Sequence, residues 1–390
     1  MAWPRCASVS ARESRSSSSV SDGPLTGLRV LEFGNLIAAP YATMLLADLG
    51  ADVVKVEPPG GDLARRFGPF RNGESIFFMA VNRGKRSIVV DDDRPLLEAL
   101  IERADALVHN LRQGAMERLG VGPAHCHEIN PSLVYTEITA FGDTGPYAGR
   151  SGVDIVFQGE SGMISITGDA GDPPHKTATT IADYLAGTNA ALTTAAAMAE
   201  RPPTGRHIVV TLRDGVMAAQ SGWNALYLER ETEPERTGTA SPFLAPNQVF
   251  KTADGNITIA VVSDRHFAAL AEALDMPHLA AEFPDNETRV RRLSDLAAVL
   301  DTVFATKPTS QWLSALEEKG IPAGRVLTIG EALSDPQAIH HEMVVEQHHP
   351  TVGIIRVTGS PLRIDGRPAR ASTPAPVLGG DNDAIEDWLS

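Results

Sequence analysis

The sequence predicts an α/β protein with a parallel β-sheet and a second, smaller α/β unit. A buried strand at 28–33, a helix at 41–49 closed by Gly50 and a strand at 51–57 form a βαβ unit, which begins a parallel sheet. Strands and helices continue to alternate up to about residue 229. A polar, turn-rich segment follows and precedes a hairpin with several helices, and such segments separate domains.

The remaining elements are predicted from hydrophobic periodicity and turn residues. The large unit continues with a helix at 95–104, a strand from residue 106, strands at 132–142 and 204–212, and a helix at 213–229. The smaller unit begins with a hairpin at 248–262, whose turn contains an Asp-Gly pair. Helices at 264–274, 290–305 and 309–319 follow, and the C-terminal tail is extended and rich in proline.

Composition and charge restrict the class of partner. The chain has 390 residues, a mass of 41.5 kDa and a net charge of −15. Nucleic acids and anionic membranes attract basic surfaces, so we expect neither as a partner. No apolar run reaches the roughly 18 residues of a membrane span. The two cysteines, Cys6 and Cys126, form no disulfide framework, which is typical of a cytoplasmic protein.

The first strand-to-helix turn argues against a nicotinamide dehydrogenase. A dinucleotide site needs the glycine pattern GxGxxG, because the backbone must approach a pyrophosphate closely. Here the turn at 34–40 reads GNLIAAP, with one glycine and bulky residues at the other positions. Glu57 ends the second strand, which is the position of the acidic residue that binds ribose in a dinucleotide site. Because the glycines are missing, we reject the interpretation of this turn as a dinucleotide site.

Cationic and amide side chains follow the predicted strands of this acidic chain. A basic cluster lies at 83–86, and Asn110, Arg112 and Arg118 follow the strand that starts at residue 106. The loops after the carboxyl ends of parallel strands line a ligand crevice, where such groups bind phosphates. The alternative for each of these cations is a solvated surface charge.

One aspartate, Asp183, stands at a predicted strand-to-helix junction. A Thr/Ile run typical of a strand precedes it at 177–182, and an alanine-rich helix follows. Asp is a favoured N-cap, so an ordinary cap is the plain interpretation. Gly187, one turn later, permits close packing of the helix, and the glycines at 152–168 indicate close backbone approach to a ligand or another chain.

Nearly the whole chain from Pro24 onward resembles the class III CoA-transferases, a family that also contains α-methylacyl-CoA racemase. The resemblance rests on several short motifs in a fixed order and spacing. They are LTGLRVLE at 25–32, LGADVVKVEPPGGD at 49–62, NRGKRS at 82–87, NLRQGAMERLG at 110–120, FGDTGP at 141–146, IADYLAG at 181–187, TGR at 204–206 and FKTADG at 250–255.

The resemblance implies an architecture. It implies a Rossmann-like large domain with a parallel sheet, a smaller α/β domain, and an interlocked homodimer. We therefore divide the chain as follows: a disordered tail at 1–22, the first part of the large CoA-binding domain at 23–225, a linker at 226–246, the small domain at 247–328, and a return segment at 329–390 that completes the large domain.

The resemblance also implies site residues. Asp183 takes the position of the catalytic aspartate. The residues at the positions of the CoA contacts are Ile37, Ala38, Val90, Asn110, Leu111, Arg112, Arg118 and Asp154. Asp154 is also an acidic residue near the active site in this family, with an ordinary loop aspartate as the alternative. No metal and no permanently bound cofactor is implied, and CoA thioesters are the substrates.

The chemistry that the resemblance implies suits a carboxylate nucleophile. Asp183 attacks the thioester of an acyl-CoA donor and forms a mixed anhydride with release of the CoA thiolate. The thiolate then forms an aspartyl thioester, from which an acceptor carboxylate takes the CoA through a second anhydride. This covalent route divides one difficult exchange into easier steps.

Two other functions remain alternatives. Racemases of the family pair the same aspartate with a histidine directly before the position of Asp154, but this chain has Val153 there, which carries no proton. His109, His125 and His127 fall elsewhere, and we expect loop or helix-surface positions for them. The third hypothesis is a CoA-binding protein without catalysis.

The sequence does not identify the two acids that exchange CoA. Dicarboxylyl-CoA donors such as succinyl-CoA are an expectation by analogy with the family. We expect the acceptor to be chosen by the loop at 237–246 together with residues 247–320.

Overall fold

The structure is a computed structural model that describes residues 23–200 and 202–390. The predicted tail at 1–22, with Cys6, lies outside the described residues. Within those residues, no helix combines the length and the apolar composition that a membrane crossing requires.

Residues 23–150 alternate between strands and helices, as the sequence predicts for this region. The elements are β1 Arg29–Phe33, α1 Ala38–Asp48, β2 Asp52–Glu57, a 3₁₀ turn Leu63–Arg66, β3 Phe70–Arg71, β4 Glu74–Ser75, α2 Ile76–Met79, β5 Lys85–Val89, α3 Arg94–Arg103, β6 Ala106–His109, α4 Ala115–Arg118, α5 Pro123–Ile129 and β7 Val134–Thr139.

Residues 151–240 are mainly helical. The elements are α6 Asp154–Glu160, α7 Met163–Ile166, α8 Ile181–Met198, β8 Arg206–Thr211, α9 Leu212–Ala219 and α10 Ser221–Arg230.

The rest of the chain contains antiparallel strands and short helices. The elements are β9 Asn247–Lys251, β10 Asn256–Ala260, α11 Asp264–Ala273, α12 Leu279–Glu282, α13 Asn286–Arg291, α14 Leu293–Phe304, α15 Thr309–Glu318, β11 Ala323–Arg325, α16 Ile329–Ser334, α17 Pro336–His340, β12 Val344–His349, β13 Gly353–Thr358, β14 Arg363–Ile364, β15 Arg367–Pro368, a 3₁₀ turn Asn382–Ala384 and α18 Ile385–Leu389.

A six-stranded parallel sheet is the centre of the fold, so the predicted α/β class is confirmed. The strand order is β5-β2-β1-β6-β7-β8, and every neighbouring pair is parallel. The first strand, β1, lies inside the sheet. The chain adds β2 and β5 on one side of β1, and then adds β6, β7 and β8 on the other side. The switch point between β1 and β6 opens a crevice at the carboxyl edge of the sheet, where α/β proteins bind ligands.

Helices cover both faces of the sheet. On one face, Val30, Val108 and Val210 pack against the small side chains of α1 and α8. On the other face, strand residues such as Leu31 pack with α3, α5 and the C-terminal Trp388. Both faces are therefore buried, as is usual for a parallel sheet.

A second hydrophobic cluster is built from residues 245–323 alone. It joins the three-stranded antiparallel sheet β11-β10-β9 to α11, α14 and α15. The predicted hairpin corresponds to β9 and β10, which pair antiparallel from Asn256–Lys251 to Ala260–Asn247. C-terminal residues instead join the first part of the chain, since Ala371, Ile385 and Trp388 lie in the clusters around the parallel sheet.

Three element predictions are wrong. No strand forms at 177–182, because the amide and hydroxyl groups of Thr177 bond to a glutamine side chain instead of to a strand. The predicted helix at 213–229 is two helices, since the backbone of Gln220 leaves the helical region with φ −92° and ψ 21°. The helix at 290–305 is likewise divided at Arg292, with φ −107° and ψ 33°.

Candidate active site

The loop from β1 to α1 forms one wall of the crevice at the switch point. Leu36 has a left-handed backbone with φ +63°, which is uncommon for a residue with a side chain. The loop ends at Ile37, which is the N-cap residue of α1, and no side chain caps the first amide groups of this helix. Such free amide groups at a helix start bind anions.

Asn110, at the start of the loop after β6, is hydrogen-bonded to the β1–α1 loop. Its Nδ2 donates to the carbonyl of Asn35 at 2.8 Å, and its Oδ1 accepts from the amide of Asn35, also at 2.8 Å. The side chain of Asn35 accepts from the amide of Leu63 (3.1 Å), and Asp62 accepts from the amide of Leu36 (3.0 Å). Hydrogen bonds to Asn110, Leu63 and Asp62 thus stabilise the loop around the left-handed backbone of Leu36.

A buried cluster of charged side chains also contacts the β1–α1 loop. Lys55 donates to Glu32 (2.5 Å) and to the carbonyl of Gly34 (2.9 Å), and forms an ion pair with Asp62 (2.8 Å). Lys85 contacts the other oxygen of Glu32 (2.8 Å). Burial alone raises the pKa of Glu32, but the two ammonium groups outweigh it and lower the pKa to about 2.

The basic cluster at 83–86 does not face the crevice as a phosphate site. Arg83 is buried and makes two hydrogen bonds to Asp48, and Lys85 is buried with carbonyl and carboxylate partners. Arg86, the second residue of β5, pairs with Asp52, the first residue of β2. The prediction that this cluster supplies cations to phosphates is therefore wrong, because internal acids already neutralise it.

The other predicted CoA contacts all follow strands at the carboxyl edge. The side chains of Ile37 and Ala38 are buried, so only their backbone faces a ligand. Val90 follows β5 and Leu111 follows β6, and both are half-buried. Arg112 and Arg118 are exposed and have no ion pair among the described residues, in a chain that carries fifteen more acidic than basic groups.

Asp183 lies in the first turn of α8, two residues beyond the helix start, and is not the N-cap that the sequence suggests. Its side chain has no hydrogen bond to any other described residue. Burial and the nearby carboxylate of Asp154 raise the pKa of Asp183 to about 7. The positive end of the helix dipole acts in the opposite direction and favours the charged form.

Asp154 is buried, and each of its two carboxylate oxygens accepts one hydrogen bond. Its Oδ1 accepts from the amide of Ala182 at 2.9 Å, directly before Asp183, and its Oδ2 accepts from Nε2 of Gln158 at 2.6 Å. The sequence analysis did not single out Gln158. Its position one turn after Asp154 was the available signal, since residues four apart on a helix are neighbours.

Helices α1 and α8 bring the loop and the aspartate together. The rings of Tyr41 and Tyr184 meet edge to face with centroids 4.8 Å apart. A side-chain carbon at Gly187 would lie 2.7 Å from the carbonyl oxygen of Ala38, so only glycine permits this helix contact. The structure thus groups Ala38, Asp154 and Asp183, whereas Val90, Arg112 and Arg118 make no hydrogen bond or ion pair to this group among the described residues.

The three histidines named in the sequence analysis are partly or fully buried. His109 is buried at the end of β6, so the expected surface position is wrong for it, and burial lowers its pKa to about 3. His125 and His127 lie half-buried on α5. Over residues 23–200 and 202–390, no three His, Cys, Asp or Glu side chains form a group suited to a metal ion.

A cavity of about 380 Å³ at the amino edge of the sheet is a poor candidate site. It is lined by Asp52, Arg86 and several C-terminal residues, including Asp381. Arg86 and Asp52 pair with each other there. The cavity lies at the opposite sheet edge from Asp183, so it takes no part in the chemistry considered below.

Together, these features define an α/β protein with a ligand crevice at the switch point and a candidate carboxylate nucleophile beside it. Residues 25–382 match the protein family described as CoA-transferase family III. The chain belongs to this family and is a CoA-transferase, an enzyme class that acts on acyl-CoA and acid substrates.

Individual relatives match over most of their length. The chain is 35% identical over 366 residues to the succinyl-CoA:glutarate CoA-transferase of Mus musculus, covering 91% of this chain and 84% of that protein. It is 33% identical over 354 residues to the acetyl-CoA:oxalate CoA-transferase of Acetobacter aceti, and the match covers 88% of this chain and 90% of that protein. A CAIB/BAIF family protein from Brucella suis has the same fold, with a TM-score of 0.83, 32% identity, and coverage of 95% and 100%.

Proposed function

We propose that this CoA-transferase moves CoA from an acyl-CoA donor to a carboxylic acid through covalent intermediates on Asp183. The environment of Asp183 carries the proposal. Its carboxylate has no hydrogen bond within the described residues and lies beside a second carboxyl group, that of Asp154, which accepts two hydrogen bonds. A carboxylate of raised pKa is a better nucleophile than an ordinary surface aspartate.

The reaction begins when a carboxylate oxygen of Asp183 attacks the thioester carbon of the donor. The carbon–sulfur bond breaks, and a mixed anhydride and the CoA thiolate form. The thiolate then attacks the aspartyl carbonyl carbon, so the donor acid leaves as a carboxylate and an aspartyl-CoA thioester remains.

The second half of the reaction reverses these steps with the acceptor acid. The acceptor carboxylate attacks the aspartyl thioester and releases the thiolate, which leaves a second anhydride. The thiolate attacks the acceptor acyl carbon, giving the new acyl-CoA and free Asp183. Atoms and charges balance without a redox step, and no metal or resident cofactor is part of this proposal.

The crevice residues divide the work of binding CoA. We assign the phosphates to the exposed guanidinium groups of Arg112 and Arg118 and to the first amide groups of α1 at Ile37 and Ala38. Val90 and Leu111 supply apolar contact. Asn110 acts through the loop, since its amide is bonded to Asn35.

Dicarboxylic acids are the proposed substrate class. The two relatives described above are named for glutarate and oxalate, which are both dicarboxylic acids, and one of them for succinyl-CoA. We therefore propose succinyl-CoA or another dicarboxylyl-CoA as donor.

A racemase is disfavoured, because Val153 precedes Asp154 with its side chain 60% exposed and offers no second base.

The assembly belongs to the same proposal. We propose a cytoplasmic, interlocked homodimer in which residues 23–225 and 329–390 form the CoA-binding domain, residues 247–328 form the small domain, and residues 226–246 link the two. Tyr227, Leu228 and Phe243 in the linker are exposed apolar side chains, which supports coverage by a second chain.

The test is a covalent trap. Purified protein is incubated with succinyl-CoA, glutaryl-CoA and acetyl-CoA in turn, and the intermediate is captured with hydroxylamine or borohydride and located by mass spectrometry. We expect a donor-dependent modification at Asp183 that is absent from Asp183→Ala. Asp214→Ala is the matched control, because Asp214 occupies the same position in the first turn of α9 but is exposed.

The outcomes separate the hypotheses. A modification that persists in Asp183→Ala contradicts the assigned nucleophile. Exchange of the α-proton into deuterated buffer without any trapped intermediate supports a racemase instead. Tight CoA binding with neither signal contradicts covalent transfer on this chain.

A further inference from the structure

Gln158 is a buried side chain whose carboxamide is fully bonded. Its Oε1 accepts from the amide of Thr177 at 2.9 Å and from the hydroxyl of the same residue at 3.2 Å. Its Nε2 donates to Asp154 at 2.6 Å and to the carbonyl of Thr179 at 3.4 Å. Four contacts therefore use both donors and both acceptor positions of one amide.

These contacts fix which way the amide points. A peptide N–H only donates, so the group that faces the amide of Thr177 must be the oxygen of Gln158. Nε2 must then face Asp154 and donate to it. Asp154 is consequently an acceptor at this oxygen, as it is at the oxygen that faces the amide of Ala182. Two donors therefore hold both of its oxygens in a fixed orientation.

The two neighbouring aspartates thus have different surroundings. Asp154 accepts two hydrogen bonds from fixed donors, whereas Asp183 accepts none within the described residues. Pairs of carboxyl groups in unequal environments divide their roles, because the better-bonded group keeps its charge. Asp154 is therefore held by two fixed donors, whereas Asp183 has no such donor among the described residues and carries the raised pKa.

We propose that Gln158 is a positioning residue for the nucleophile: it holds Asp154 as an oriented carboxylate whose charge favours acylation of Asp183. This inference rests on the proposed function. The two carboxylates repel each other in the free enzyme, and the repulsion disappears when Asp183 becomes an anhydride or a thioester, since both are uncharged. The fixed charge thus raises the free energy of the starting state relative to the intermediates.

Few other titratable groups face Asp183. Tyr184 follows it on the same helix, and Tyr41 approaches from α1. Burial raises the pKa of both tyrosines, so they stay neutral through the range in which the carboxyl groups titrate. The acidic limb of a pH profile therefore reports Asp183 rather than either tyrosine.

The first test replaces Gln158 with leucine, which has a similar volume and no donor. Asp154 then loses one of its two donors and is no longer held in place beside Asp183, so it raises the pKa of Asp183 less. We expect the acidic limb of kcat/KM to move down by about 1 pH unit and kcat to fall about 10-fold or more, with donor KM within about 2-fold. Gln220→Leu is the matched control, because this buried glutamine donates only to the carbonyls of Ser161 and Val216.

A merely structural role predicts a different pattern. If Gln158→Leu lowers Tm as Gln220→Leu does and leaves the pH midpoint and kcat unchanged, the proposal is overturned. Gln158→Glu is the second variant, in case the leucine variant fails to fold. Protonated glutamic acid donates to Asp154 and the glutamate ion does not, so its activity relative to wild type should fall as pH rises. Activity parallel to wild type at every pH also overturns the proposal.

A titration without substrate separates this inference from the proposed function. Protein labelled with ¹³C at the aspartate carboxyl carbons is titrated by NMR, and the Asp183 signal is identified by its loss in Asp183→Asn. We expect its midpoint to fall in Gln158→Leu and to stay constant in Gln220→Leu. An unchanged midpoint in Gln158→Leu overturns the role of Gln158 even if transfer occurs. A shifted midpoint supports that role even if no acyl-CoA modifies the protein.

Discussion

Asn110 and Asn35 exchange two hydrogen bonds of 2.8 Å across the switch point of the sheet, one in each direction. The side-chain amide of Asn110 thus pairs with the backbone of Asn35 as a neighbouring strand would. The conformation of the β1–α1 loop is therefore stabilised by a residue that lies 75 positions later in the chain.

We predict that Asn110→Ala weakens acyl-CoA binding without removing the chemistry. The loop at 34–37 loses two hydrogen bonds, so its amide groups are less well ordered for the phosphates. We expect KM for the donor to rise about 10-fold and kcat to stay within about 2-fold in steady-state assays. Asn130→Ala is the control, because this buried amide donates to Ile101 and Ala104, before β6 begins. Equal KM changes in both variants contradict the prediction.

We predict that Arg112→Ala and Arg118→Ala each raise donor KM about 10-fold, since each removes a charge-assisted contact to a phosphate. Increasing ionic strength should reduce the difference from wild type. Arg103→Ala is the matched control, because Arg103 is also exposed and without an ion pair among the described residues, but it lies at the amino edge of the sheet. A similar loss in all three variants points to net charge rather than to a phosphate site.

We predict that Asp183→Asn makes the protein inactive but more stable at pH 8. The pKa of Asp183 is raised to about 7 in the folded protein, so the folded state resists ionisation while the unfolded chain ionises near pH 4. Wild type therefore loses stability as pH rises from about 4 to 7, and the amide variant does not. We expect a gain of about 1–2 kcal/mol at pH 8.

Denaturation at two pH values checks this prediction. The advantage of Asp183→Asn over wild type should disappear at pH 4, where both side chains are neutral. A constant difference between pH 4 and pH 8 would show that the charge of Asp183 is not its cause.

We predict that Lys55→Met destabilises the protein severely. The substitution leaves the buried carboxylate of Asp62 without its ammonium partner and leaves Glu32 with Lys85 alone. Breaking a buried pair in this way costs about 3–5 kcal/mol, visible as a large fall in Tm. Arg86→Met is the control, because its ion pair with Asp52 is partly exposed and contributes at most about 1 kcal/mol. Comparable losses would contradict the role of burial.

The same cluster predicts the acid limit of the fold. The pKa of Glu32 is lowered to about 2, below its value near 4.3 in an unfolded chain. Its ion pairs therefore contribute stability above about pH 4.5, and that contribution is lost as pH falls toward 2.

Several elements of both units were predictable because their signals are local. The βαβ pattern from residue 28 to residue 57 and the Asp-Gly hairpin correspond to β1, α1, β2 and to the pair β9 and β10. The position of Asp183 came from a motif, but its placement within the helix did not. The β-branched run before it resembles a strand, and only the distant side chain of Gln158 explains why it forms a loop.

The charged residues were the least predictable. A basic run in an acidic chain is typical of a ligand site, yet Arg83 and Lys85 are neutralised by Asp48 and Glu32. These acids lie 35 and 53 positions earlier, and nothing local indicates that they meet the basic run. Pairing across a sheet depends on the finished topology, so the sequence alone does not reveal which cations stay free.

Gly187 has a consequence for how such an enzyme can diversify. Because α8 touches the carbonyl of Ala38 at this glycine, the segment that carries the reacting aspartate and the segment that leads into the crevice behave as one rigid block. Residues 245–323 have a separate core that shares no residue with it. Under the proposed function, new acids are therefore accommodated by changes in that second core or in the linker before it, while the contact between α8 and Ala38 stays unchanged.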